Sequence, residues 1–188
     1  MNQEKIENII STVDETVKRY NNYPIDDVVY FDLNPVYKLS SLYKDLISVV
    51  INLLNSKRIG IEPVMANVDY IACVESRGFL LGAVIADRFN KGLVLLRSKE
   101  SRLPGKTSKV KHKLEYGTAT MEVQKGKGNV LIFDDVIATG GTASAAVKVL
   151  KKAGYNPISA LFILELAYCN PKFKLDYQSV KVYNSDQE

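Results

Sequence analysis

Two adjacent acids, Asp134 and Asp135, close the apolar run VLIF at 130–133, and the small, hydroxylated stretch Ala138-Thr139-Gly140-Gly141-Thr142 begins three residues later. Glycines let backbone N–H groups come close to an anion, and the Thr139 and Thr142 hydroxyls add donors. A helix starting there contributes its partial positive charge, so the stretch suits a phosphate. The carboxylates would repel that phosphate and must serve something else: the hydroxyl hydrogens of a sugar, or waters around a hard cation such as Mg²⁺. Phosphate, diol and magnesium together describe a phosphorylated ribose. Other phosphate motifs fail. Gly105-Lys106-Thr107 mimics the end of a Walker loop, but the glycine that should open it falls on Glu100.

The elements that would position these residues alternate along the chain. VDYIACV at 68–74 reads as a strand, ESRG at 75–78 as a turn, Phe79 to Phe89 as a helix and GLVLL at 92–96 as a second strand, which makes a βαβ unit. TATMEVQ at 118–124 alternates like a strand, VLIF is a buried strand with the acids at its end, Thr142 to Ala153 is a helix closed by Gly154, and ISALFILEL at 158–166 is the last strand. Upstream, Ile6, Ile9, Ile10, Val13 and Val17 predict an amphipathic helix to about Tyr20. Residues 24–37 stop short of a regular strand, and Ser40 or Ser41 caps a second helix. Strands alternating with helices predict an α/β fold around a mostly parallel sheet. Its ligands gather beyond the carboxyl ends of the strands, where both acids and the glycine loop would sit.

Length and composition agree with one domain over residues 1–188, 46% hydrophobic and 24% charged. No run approaches the roughly 20 apolar residues of a membrane span, and the N-terminus lacks the order of a signal peptide, so a cytoplasmic protein is expected. Cys73 and Cys169 are expected as buried, reduced thiols. Lysines crowd residues 91–113 within a net charge of +4; such a stretch can serve nucleic acid, an anionic small molecule or solubility alone. His112, among them, is expected as a solvated residue.

Val130 to Thr142 resembles the phosphoribosyl-pyrophosphate (PRPP) signature of type I phosphoribosyltransferases. VVYFDLNPV at 28–36, ESRGFLLGA at 75–83, RLPGKT at 102–107 and LEYGTATMEVQ at 114–124 resemble the adenine-using members of that family, in the same order and near the same spacing. The resemblance implies the type I fold, with a small base-binding hood segment at 22–40 and a flexible lid loop at 98–117. It implies transfer of the phosphoribosyl group of PRPP to adenine, giving AMP and pyrophosphate, with Mg²⁺ as cofactor, small-molecule partners rather than nucleic acid or membrane, and a homodimer. Asp134 and Asp135 would hold the ribose hydroxyls and, through water, the metal. Ala138, Thr139, Gly140, Gly141 and Thr142 would hold the 5′-phosphate. Glu75, Ser76, Arg77 and Gly78 would form the pyrophosphate loop, with a cis peptide, and Arg77 would lie near both pyrophosphate and base. Arg97, Lys99 and Arg102 would bind PRPP, Arg97 in a neighbouring subunit. Val29 and Tyr30 would line the base pocket, with Val136 over the other face of the base. Glu115 would handle the purine proton, against the alternative of a solvated strand-end acid.

The chain departs from the family pattern twice. Phe31 stands where a basic residue usually follows the pocket aromatic, and the segment at 97–104 is one residue longer. The base could therefore be hypoxanthine or guanine instead; a third reading, a non-catalytic regulator that senses PRPP, is opposed by the single N-terminal helix and by the lid with Glu115.

Overall fold

The computed structural model describes residues 1–56, 64–99, 103–114 and 117–185, with the backbone alone for 113, 114 and 117. The chain forms two compact units, Met1–Ser56 and Lys57–Glu188, and the expected hood segment falls in the first.

In the first unit, α1 spans Gln3–Thr16, capped by the Asn2 side chain, which accepts from the Lys5 N–H at 3.0 Å. It stops short of Tyr20, because Lys18–Asn21 forms β1, antiparallel to β2 at Val29–Asp32. All four β1 residues are exposed, so no buried alternation marks it in the sequence. A short α2, Asn34–Lys38, precedes α3, Ser40–Asn55, which buries Leu42, Leu46, Ile47, Val49, Val50 and Leu54. The cap position of α3 is Leu39, without a side-chain cap bond; Ser40 and Ser41 lie inside the helix rather than at its cap.

In the second unit, β3 (Tyr70–Val74), α4 (Gly78–Arg88) and β4 (Gly92–Leu96) form the expected βαβ unit. Next come β5 (Thr107–Leu114), β6 (Gly117–Gln124), β7 (Gly128–Ile137), α5 (Gly141–Ala153), β8 (Tyr155–Leu166) and β9 (Tyr177–Tyr183). Five strands make one parallel sheet in the order β4-β3-β7-β8-β9. The apolar residues on one face of it, among them Ala72, Ile132 and Phe162, pack against Ala146, Val149 and Leu150 of α5. On α4, a Cβ at Gly82 would run into Cys73 and Phe133, so α4 covers the other face.

Two sequence expectations change here. Residues 107–114, expected within a loop at 98–117, form β5, antiparallel to β6. The run KVKHKL alternates with period two: Ser108 is buried, Val110 half-buried, and Lys109 pairs across the ladder with buried Glu122. The acids do not end their strand either. β7 continues through Ile137, because β8 keeps pairing as far as Ile137↔Glu165 while the β3 pairing ends at Cys73↔Phe133.

Candidate active site

The two strands at the centre of the sheet diverge at their carboxyl ends. β3 leads through α4 to β4 on one side, and β7 leads through α5 to β8 on the other. This is the switch point at which open α/β sheets bind ligands. Residues 75–78 leave from β3 there, and Asp134 and Asp135 face the gap from β7, where β3 has stopped pairing. Gly78 lies so close to β7 that a Cβ on it would meet the Phe133 carbonyl at 3.0 Å and Asp134 Oδ1 at 3.2 Å. That glycine lets the loop and the acids share one corner.

Arg77 Nε stands 2.8 Å from Asp135 Oδ2, an ion pair without hydrogen-bond angles. The Asp135 side chain is 3% exposed and that of Arg77 36%, so the acid is sunk and the cation reaches outward. The Asp135 N–H donates to Asp134 Oδ1 at 2.9 Å. The Asp134 carboxyl is pushed well above the usual carboxylate range, first by burial and then by the charge of Asp135. Asp135 is also raised by burial, with Arg77 pulling the other way. The Glu75–Ser76 peptide is cis, as the resemblance implies. Both oxygens of Glu75 are engaged, by the Ser98 N–H at 2.7 Å and by Arg97 Nη2 at 3.0 Å.

At the far side of the gap Gly140 takes φ +79° at the cap position of α5, a conformation that suits glycine, and no side chain caps this helix. The first-turn N–H groups of α5 are therefore left for an anion to satisfy. The loop is braced from outside. The Lys172 N–H donates to the Thr139 carbonyl at 2.8 Å, and Ser144 Oγ donates to the Lys172 carbonyl at 3.0 Å. Sequence reasoning missed this brace, because residues 170–175 carry no regular pattern.

The structure thus brings together Glu75, Ser76, Arg77, Gly78, Asp134, Asp135 and the loop Ala138 to Thr142, with Arg97 adjoining and exposed Lys99 two residues beyond it. Val136 is half-buried on β7 beside these acids. Glu115 and Arg102 lie outside the described residues. Val29 and Tyr30 lie on β2 of the first unit, both half-buried, the Tyr30 ring edge-on to Tyr23 with centroids 5.3 Å apart. Phe31 is buried, and Arg19, its partner across the β1–β2 ladder, sets its guanidinium 5.4 Å from the Phe31 ring centroid. His112 is not solvated: it is half-buried, its Nδ1 has no hydrogen-bond partner among the described residues, and burial lowers its pKa. It shares the inward parity of Ser108 and Val110 on β5. Cys73 is buried, its thiol pushed up to about 12 by burial and then by Asp134, and Cys169 is half-buried rather than buried. No described helix is long and apolar enough to cross a membrane. An open cavity of about 530 Å³ lined by Tyr70, Lys91 and Lys127 sits where β3 and β7 begin, away from the carboxylates.

The raised carboxyls carry a stability prediction. A folded-state pKa above the ordinary value near 3.8 means the folded protein holds protons more tightly. That stabilisation is complete below the ordinary value and is lost as pH rises through the raised one. Asp134→Asn is therefore expected to raise Tm at pH 7, with the gain shrinking toward pH 4; each kcal/mol moves Tm by about 2–4 °C in a chain of this size. Thermal scans across pH check it, and a variant less stable at pH 7 contradicts it.

A switch point that sets an arginine-bearing loop and an acid pair beside a glycine-rich helix start suits a phosphorylated sugar. The phosphoribosyl transferase domain model matches residues 41–186, and the chain belongs to the phosphoribosyltransferase family. Its curated relatives include the adenine phosphoribosyltransferase of Prochlorococcus marinus (strain NATL1A), 38% identical over 164 residues, which cover 85% of this chain and 90% of that protein. The adenine phosphoribosyltransferase of Nitrosopumilus maritimus (strain SCM1) is 37% identical over 160 residues, covering 83% and 88%. Among solved structures, that of adenine phosphoribosyltransferase from Saccharomyces cerevisiae, complexed with an imino-altritol bisphosphate and adenine, aligns with TM-score 0.81 at 28% identity, covering 93% of this chain and 99% of that one.

Proposed function

We propose that this chain is a purine salvage enzyme that transfers the phosphoribosyl group of PRPP to adenine, giving AMP and pyrophosphate. The observation that carries this reading is the meeting of the Asp134–Asp135 pair, the Arg77 loop and the uncapped start of α5 at one switch point. The curated relatives named adenine phosphoribosyltransferase supply the base.

The α5 amides and the Thr139 and Thr142 hydroxyls take the 5′-phosphate, and the acid pair accepts from the two ribose hydroxyls. That fixes the anomeric carbon opposite residues 75–78. As the bond from that carbon to the pyrophosphate oxygen breaks and a purine ring nitrogen bonds in its place, negative charge grows on the leaving group. Arg77 and the loop N–H groups are prearranged for it, the kind of term that dominates such catalysis. Val136, beside the acid pair, lies against one face of the base. Glu115 accepts the purine proton, and Lys99 and Arg102 add charge to the pyrophosphate side. Glu115→Gln is expected to lower kcat by about 100-fold, the low end of general acid–base contributions, while KM for PRPP changes less; an unchanged kcat makes Glu115 structural.

The residues fit a magnesium ion that arrives with its substrate. Among the described residues no group of three or more His, Cys, Asp and Glu side chains forms a cage, yet two carboxyls stand side by side, the Asp135 N–H donating to Asp134 Oδ1 at 2.9 Å. Asp134 and Asp135 would hold Mg²⁺ through water. When bound, the ion neutralises charge on pyrophosphate. A homodimer is supported by the apolar edge of the sheet: Leu80 on α4 is 50% exposed, and Leu93 and Leu95 on edge strand β4 are 44% and 39% exposed. Light scattering is expected to give twice the 21.0 kDa chain mass.

Incubation with PRPP, Mg²⁺ and each purine in turn, following pyrophosphate release, tests the reading. Turnover with adenine is expected. Turnover with hypoxanthine or guanine instead moves the enzyme within the family, and PRPP binding without turnover on any base overturns it.

A further inference from the structure

Glu75 opens the pyrophosphate loop, yet a carboxylate is the wrong charge for a ligand of pyrophosphate. Its contacts point elsewhere. Oε2 accepts the Ser98 N–H at 2.7 Å, Oε1 meets Arg97 Nη2 at 3.0 Å, the Glu75 carbonyl accepts Ser98 Oγ at 3.3 Å, and the Glu75 N–H donates to the Leu96 carbonyl at 2.9 Å. Arg97 is itself anchored. Its N–H and carbonyl pair both ways with Glu122 of β6 at 2.9 and 2.8 Å, and the Glu122 side chain, 2% exposed, meets Lys109 of β5 at 3.6 Å. Arg97 Nε is buried and has no hydrogen-bond partner among the described residues.

We propose that Glu75 is a positioning residue: it ties the pyrophosphate loop to the exit of β4 through Arg97 and Ser98 and does not itself touch substrate. The first residue of the loop thereby moves with the 97–98 segment and, through Glu122, with the β5–β6 hairpin. The same pairing neutralises an acid that would otherwise repel the leaving group. Residues 76–78 meet pyrophosphate only if this tie holds their peptide groups in place. The inference rests on the proposed transferase reading and assigns one of its residues a different role.

The sign of one constant tests it. Glu75→Gln keeps the length and the Ser98 bond but loses the ion pair. Deleting a negative charge beside an anion should tighten PRPP binding if the charge alone matters, whereas loss of positioning should weaken it. We expect KM for PRPP to rise about tenfold, with KM for adenine and Tm nearly unchanged. Arg97→Ala is expected to give a similar rise, Arg97→Lys to restore part of it, and the double variant Glu75→Gln/Arg97→Ala to be no worse than the worse single one, since the two act as a unit. A KM for PRPP that stays or falls in Glu75→Gln overturns the proposal, as do additive effects in the double variant. So does a uniform loss in every constant together with Tm, which marks a merely structural residue. Failure of the transferase reading shows separately, as wild-type protein that turns over no base; pyrophosphate affinities of the same variants by calorimetry then decide the role of Glu75 in the same way.

Discussion

Replacing both Asp134 and Asp135 by Asn lowers kcat/KM for PRPP by about 1000-fold and affects rate and binding together. Hydrogen bonds to a charged group contribute about 1.5–3 kcal/mol each, and two of them lost together come to roughly 4 kcal/mol, or about three powers of ten. The geometry argues against a smaller loss. Asp135 is sunk beside Arg77, and Asp134 is held by the Asp135 N–H, so neither carboxylate can swing to recover a hydroxyl. The same substitutions relieve two adjacent like charges, Asp135 buried and Asp134 half-buried, so the inactive protein is expected to be at least as stable at neutral pH. Activity and stability then move in opposite directions, as expected where burial is tolerated for function. Steady-state kinetics beside thermal scans check both. Kinetics like the wild type's remove the pair from the site.

Gly140→Val is the second large effect. The residue takes φ +79°, which costs a β-branched side chain about 1–3 kcal/mol, and its Cβ would stand 3.1–3.3 Å from the backbone of Lys172. That backbone cannot retreat freely, because it is tied to Thr139 on one side and Ser144 on the other. The loop must shift instead, and the α5 amides shift with it. A fall in kcat/KM for PRPP of about 100- to 1000-fold is expected, with a lower Tm and little change in KM for adenine. If the variant binds PRPP as the wild type does, the 5′-phosphate is held elsewhere.

How much of this was legible beforehand follows from what each element buries. The strand at 70–74, the core of β7 and the helices α4 and α5 were readable because continuous apolar runs or helical stripes must be covered on both faces of a parallel sheet. The strand at 92–96 was readable as an apolar run although, at the sheet edge, it buries only Val94 and Leu96. β1, wholly exposed, left no such trace, and β9 is half-buried along most of its length. β5 was hidden by its charge: the lysines at 109, 111 and 113 read as a solvated loop, although their spacing was already that of a strand. In the candidate site, the residue types of 75–78 and 134–142 announced phosphate and diol chemistry. What sequence could not supply was partnership across the fold, namely Arg77 with Asp135, Glu75 with Arg97, and Lys172 behind the phosphate loop. Those contacts join residues 22 to 58 positions apart, and the pattern on any one element is silent about them.

The most direct measurement is a crystal structure of the protein with AMP. The account predicts the 5′-phosphate on the backbone N–H groups of Thr139 to Thr142 and both ribose hydroxyls on Asp134 and Asp135. A nucleotide whose phosphate rests anywhere else, or whose ribose leaves the two aspartates untouched, contradicts it.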